Sequence, residues 1–181
     1  TFDDGPTPHL TPRLLDVLSE HDARATFFLL GKHVERNTAA VHLIESGGHR
    51  VGLHGFHHLD AWRTDAKEVL DDLDNGLALL SDLCAGSVIH FRPPFGRFTR
   101  STLRWSRANN LATVMWDVMP ADFMPGSTSE DIASRVVAKA QAGSILVLHD
   151  SWNPNVVANT VDAVEAILSR LGSRGFRFES L

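Results

Sequence analysis

The chain has 181 residues, enough for one domain with a sizeable core, and its 43% hydrophobic and 22% charged residues are typical of a globular protein. No low-complexity linker divides it, no apolar run is long enough to cross a bilayer, and a net charge of −5 argues against nucleic acid or an anionic membrane surface as partner. Cys84, the one cysteine, can form no internal disulfide and reads as a core residue rather than a nucleophile.

The opening stretch, Thr1-Phe2-Asp3-Asp4-Gly5-Pro6, reads as the end of a strand that delivers two carboxylates onto a turn. Adjacent side chains on extended backbone point to opposite sides, so the two acids are expected to hold different roles, one at a cation and one at a proton. A strand at residue 1 lacks its upstream half, so a trimmed or mature fragment is expected, with any export signal lost.

Thr11-Pro12 then predicts a helix start, with Thr11 as cap and Leu14, Leu15 and Leu18 on one face. Ala25 to Leu30 is a continuous apolar run of the kind found in strands buried on both faces. Residues 33–46 read as one helix ended by Gly47-Gly48, and Arg50 to Leu53 as a short strand running into a histidine cluster. Thr64 is expected to cap a long helix carrying Val69, Leu73, Leu77 and Leu80. Residues 87–91 form the next predicted strand, stopped by Pro93-Pro94; residues 99–109 are helical, and residues 112–116 form a fifth strand. Thr128 or Ser129 caps a helix with Ile132 and Val136 inward, residues 145–148 are a sixth strand, and a last helix carries Val161, Val164, Leu168 and Leu171. Phe176-Arg177-Phe178 closes the pattern as a seventh strand. Seven strands alternating with six helices predict parallel βαβ units, in either a barrel or an open doubly wound sheet.

In such architectures chemistry collects at the carboxyl ends of the strands. The polar outliers fall there: Asp3 and Asp4, His54, Arg92, Asp117 and Asp122, and His149. Of ten histidines, His49, His54, His57 and His58 lie within ten residues of one another. His54 and His58, spaced by four, can grip one cation with a first-strand carboxylate as third ligand, and His57 competes at a spacing of three. Three such ligands leave a position open for water, which marks a catalytic site rather than a structural one. Arg92, on a proline-stiffened turn, is placed to fix one carboxylate with a bidentate pair, and His149 to act as a general acid held by a carboxylate.

Together, Thr1 to Pro6, the His54–His58 pair, Arg92-Pro93-Pro94-Phe95-Gly96, Trp116 through Phe123 and Leu146-Val147-Leu148-His149 resemble the five ordered motifs of the polysaccharide deacetylases, the NodB-homology family or carbohydrate esterase family 4. The resemblance implies a distorted (β/α) barrel with about seven parallel strands, TIM-like, spanning residues 1–181. It implies a divalent ion, zinc before cobalt, held by Asp4, His54 and His58. It further implies Asp3 as general base, Arg92 as the group orienting it, His149 as general acid and Asp122 as the holder of His149, with Asp117 in reserve. The Phe95 backbone N–H is placed at the oxyanion, and Phe123 with Leu146 or Leu148 around the acetyl methyl. The chemistry implied is removal of N-acetyl, or O-acetyl, groups from a carbohydrate such as chitin oligomers or peptidoglycan, and by analogy a secreted or cell-envelope location. The chain departs from the family pattern at Gly55, where a small hydroxyl residue is usual, at Met119, where an acid is usual, and at Phe123, where tryptophan is usual. Two further readings are a hydrolase of a non-sugar C–N bond on the same fold and a glycan-binding barrel without turnover. Trp62 and Trp152, near predicted rim loops, are candidates for stacking on sugar rings.

Overall fold

The computed structural model describes residues 1–151 and 154–181, the stretch 154–158 as backbone alone. Trp152 therefore lies outside the described residues. Six short strands, β1 (Phe2–Asp3), β2 (Thr26–Leu29), β3 (Arg50–Leu53), β4 (His90–Phe91), β5 (Ala112–Thr113) and β6 (Leu148–His149), form one all-parallel sheet in the order β5-β4-β3-β2-β1-β6. Beyond β5 the chain reaches Val118, which forms a parallel bridge with Leu146 just ahead of β6. The Asp117 and Val118 amides donate to the Ile145 carbonyl, and the Val147 amide donates to Val118. This contact joins the two edges and gives the distorted barrel.

The helices are α1 (Thr11–Glu20), α2 (Gly31–Val34), α3 (Ala39–Ser46), α4 (Ala66–Leu83), α5 (Arg100–Ala108), α6 (Ser129–Lys139) and α7 (Pro154–Gly172). Their apolar stripes, including Leu14, Ile44, Leu73, Trp105, Ile132 and Ile167, pack on strand residues Phe2, Phe27, Leu29, Val51, Leu53, Phe91 and Leu148. Each such fully buried large side chain contributes about 1.5–3 kcal/mol. Alternation then sends the intervening residues to the barrel interior, and the register aligns Asp3 with both Phe28 and His149, and Phe28 with Gly52. Gly52 is small because a Cβ there would stand 2.7 Å from the Phe28 ring.

Several elements differ from the sequence reading. Among the described residues there are six strands rather than seven. Phe176 to Phe178 pairs with no strand, because β2 already has β1 and β3 as neighbours; the Phe178 carbonyl takes only the Arg24 amide at 2.9 Å. The helix predicted over residues 33–46 is split into α2 and α3, with the break at Asn37-Thr38. Thr11 does not cap α1, since its hydroxyl is engaged by Asp150 instead. Asp65, one residue beyond Thr64, caps α4 through the Lys67 amide. Thr99 and Thr128 cap α5 and α6 with reciprocal hydrogen bonds of the capping-box type.

The short helix α2 packs so closely on the loop after β3 that a Cβ at Gly31 would overlap the Phe56 ring. Gly31→Ala is expected to destabilise the fold by about 1–3 kcal/mol through overpacking, read as a lower urea midpoint at an unchanged slope.

Candidate active site

The site is built where the barrel strands end. Asp3 is the last residue of β1, His54 follows β3, Arg92 follows β4, and His149 ends β6. Arg92 is completely buried inside the barrel. Its Nη1 donates to Asp3 Oδ1 and to Thr1 Oγ1, both at 2.7 Å, and its Nη2 donates to the Met115 carbonyl at 3.2 Å. The guanidinium lies 4.1 Å above the Phe28 ring. The expected bidentate grip is thus a single bond to Asp3, because the other donors satisfy a hydroxyl and backbone carbonyls of the chain leaving β5. Asp3 Oδ2 remains turned toward His54, 3.9 Å from its Nε2.

Asp4, His54 and His58 offer ligand atoms that all lie within 4.8 Å of one another. The His54 Nδ1–H donates to the Arg92 carbonyl at 2.7 Å, which leaves the Nε2 lone pair facing Asp4 Oδ1 at 3.5 Å. His58 Nε2 stands 3.4 Å from the same oxygen. Burial first, and then the adjoining His54 ring, push the His58 imidazole down to about 4 despite the nearby Asp4, so its lone pair is available at neutral pH. Asp4 Oδ1 is buried and has no hydrogen-bond partner, an arrangement that costs free energy unless a cation completes it. Two imidazoles and one carboxylate match the donor set of a catalytic zinc site, and the residues present therefore fit a divalent ion. His57 is not one of the three: its Nδ1 and backbone amide both donate to Asp72 Oδ1, at 2.8 and 3.0 Å.

His149 is held by Asp122 through two bonds of 2.8 Å, from the ring Nδ1–H to Oδ1 and from the backbone amide to Oδ2. Asp117 is not its partner; Asp117 Oδ2 accepts the Ile145 amide at 2.7 Å on the segment that closes the barrel. Burial alone would lower the His149 pKa. The Asp122 hydrogen bond and charge, reinforced by Asp3 and Asp4, outweigh burial and raise it to about 9.

A cleft of about 380 Å³ opens over these groups, lined by Asp3, Asp4, His54, His58 and His149 with Phe95, Arg97, Trp116, Met119, Phe123 and Val147. Phe123 meets the His149 ring edge-on at 5.2 Å, and Phe95 meets His58 at 4.4 Å with its backbone at φ 57°. Leu146 and Leu148 do not reach the cleft. Alternation along the chain puts Val147 there and turns the two leucines toward α7. That parity was readable in the sequence once His149 was assigned to the interior. Trp116, which opens the fourth motif, and Arg97, which directly follows the third, were not singled out because neither carries a spacing signal. Trp62 is 66% exposed beside the cleft, with its Nε1–H on the Phe98 carbonyl and Arg97 stacked 5.1 Å above its ring.

Residues 1–114 match the family model described as polysaccharide deacetylase. This chain belongs to the polysaccharide deacetylase family. Over its whole length it is 31% identical to a peptidoglycan-N-acetylglucosamine deacetylase of Bacillus cereus, of which it spans 65%, and 34% identical to a chitooligosaccharide deacetylase of Rhizobium leguminosarum bv. trifolii, of which it spans 88%. The solved Bc1960 peptidoglycan N-acetylglucosamine deacetylase, in complex with a naphthyl N-hydroxybenzamide, matches with a TM-score of 0.93 at 30% identity, covering 99% of this chain and 83% of that one. Asp122 and His149 lie beyond the residues that the deacetylase family model matches, so their pairing stands on geometry.

The raised pKa makes the His149–Asp122 pair a source of pH-dependent stability. In the metal-free protein its contribution is complete below the ordinary histidine value of 6.5 and is lost as pH rises through about 9. Urea midpoints of the metal-free protein are expected to fall across this window, and Asp122→Asn to flatten the fall.

Proposed function

We propose that residues 1–181 form one metal-dependent deacetylase domain that hydrolyses N-acetyl groups on a glycan containing N-acetylglucosamine, releasing acetate. The observation that carries this reading is the orphaned Asp4 Oδ1, buried between the Nε2 atoms of His54 and His58, with Asp3 and His149 side by side on the β1–β6 ladder. Asp4, His54 and His58 would hold the ion, zinc being favoured by the donor set. When bound, the ion supplies Lewis-acid polarisation of the acetamide carbonyl and acidifies a water.

The protein's own groups then divide the proton work. Arg92 fixes Asp3 Oδ1, leaving Oδ2 on the cation side to take the proton of the attacking water. Asp122 holds His149 Nδ1, so Nε2 is the atom that gives a proton to the departing amine as the C–N bond breaks. The His149 pKa of about 9 keeps that proton in place at neutral pH. Phe123, Trp116, Val147 and Met119 give the cleft an apolar wall suited to an acetyl methyl. Trp62, exposed and braced by Arg97, extends the surface toward a neighbouring sugar ring. The relatives named for peptidoglycan and chitooligosaccharides make these the first glycans to try, and a deacetylase of such polymers would work outside the cell or at its envelope.

Acetate release from N-acetylglucosamine oligomers and peptidoglycan fragments, compared between chelator-stripped and zinc-reloaded protein, tests the reading. Release restored by zinc is expected. Asp3→Asn should lower kcat by at least about 100-fold with zinc still bound stoichiometrically. Absence of release from every glycan by the zinc-loaded protein would contradict the proposal and favour a non-sugar amide.

A further inference from the structure

Two of the three residues framing the cation pocket sit on left-handed backbone, Asp4 at φ 76° and His58 at φ 67°. An L-residue persists there only where its surroundings over-determine the conformation. Two buried carboxylates outside the cleft supply that constraint, one for each ligand-bearing loop.

Asp72 projects from the buried face of α4 under the loop of residues 54–58. It accepts the Phe56 amide at 2.8 Å, the His57 amide at 3.0 Å and the His57 ring at 2.8 Å. Gly55, at φ 89°, offers no side chain to hold the loop from within, and a Cβ there would stand 3.1 Å from Asp72 Oδ2. Asp150 is completely buried below the Asp4 loop. It accepts the hydroxyls of Thr7 at 2.7 Å and Thr11 at 2.5 Å, while its own amide donates to the Asp3 carbonyl at 2.8 Å. Those hydroxyls in turn accept the Leu10 and Thr7 amides, and any side chain at Gly5 would collide with the Asp150 carboxylate. The turn at α2 ties the two loops together. The Leu30 amide donates to Gly5 O at 2.9 Å and the His33 ring bonds Asp4 O at 2.7 Å, while the Gly31 and Lys32 amides donate to Gly55 O and Phe56 O at 3.0 and 3.1 Å.

We propose that Asp72 and Asp150 are positioning residues that set the cation affinity of the Asp4–His54–His58 site without touching cation or substrate. The inference rests on the reading that this site holds a divalent cation. Groups that orient metal ligands from behind typically change affinity by about 10–100-fold when removed.

The test is the zinc Kd of the full chain, measured by competition with a chromophoric chelator, alongside the urea midpoint of the metal-free protein. Asp72→Ala and Asp150→Ala are expected to weaken zinc binding by about 10–100-fold. Asp72→Asn and Asp150→Asn, which keep one acceptor oxygen and the side-chain shape, should recover part of the loss and serve as the folded variants if either alanine form does not fold. Ile132→Val, a core change in α6 remote from the loops, should lower the midpoint and leave the Kd unchanged. Zinc affinity within twofold of wild type in the folded Asp72 and Asp150 variants would overturn the proposal. A wild-type chain that takes up no zinc would overturn the cation reading itself, an outcome seen before any variant is made.

Discussion

The barrel and its chemistry both hang on the buried guanidinium of Arg92. A charge with no solvent access is tolerated only when an opposite charge and hydrogen bonds compensate it, and removal of one partner from such a pair costs about 3–5 kcal/mol. Here the partners are Asp3 on β1, the Thr1 hydroxyl ahead of it, and the carbonyls of Val114 and Met115 on the segment leaving β5, with Phe28 of β2 beneath. One side chain therefore ties β4 to three other regions, the β1 segment, β2 and the chain leaving β5. The same residue's carbonyl takes the His54 Nδ1–H and so selects the tautomer whose Nε2 faces Asp4. Lysine could not replace it, since a point charge lacks the planar fork that spans these acceptors.

Around that fixed point the site separates two histidines by environment. His58 is held near 4 by burial and by its histidine neighbour, and His149 is raised to about 9 by Asp122. A neutral imidazole suits a cation, and a protonated one suits a leaving amine. Opposed shifts in groups that share one site are the pattern expected where an environment divides proton work from ligand work. The Asp3–Asp4 pair shows the same division by backbone geometry: Asp3 stays on the ladder beside His149, while Asp4 leaves it at positive φ to meet the imidazoles.

Much of this was legible in the sequence because it depends on short-range rules. Strand-ending turns, prolines after Arg92 and apolar runs ahead of each polar residue place Asp3, His54, Arg92 and His149 on one rim without any tertiary information. The failures come where neighbours decide. Phe176 to Phe178 has strand-like residues but finds β2 already flanked, and Thr11 looks like a cap but serves Asp150 across the fold. The family resemblance put Leu146 or Leu148 around the acetyl methyl, whereas alternation gives the cleft to Val147. Asp72 and Asp150 were invisible, because a helical acid and an acid beside a histidine look like ordinary polar residues until the loops they hold are seen above them.

The most direct test of the account is the anomalous difference map of a crystal of this chain grown with zinc. One strong peak coordinated by Asp4 Oδ1 and the Nε2 atoms of His54 and His58, with nitrogen distances of about 2.0–2.1 Å, is the predicted result. An ion bound instead through His57, or the absence of any ion between Asp4 and the two imidazoles at saturating zinc, would contradict it.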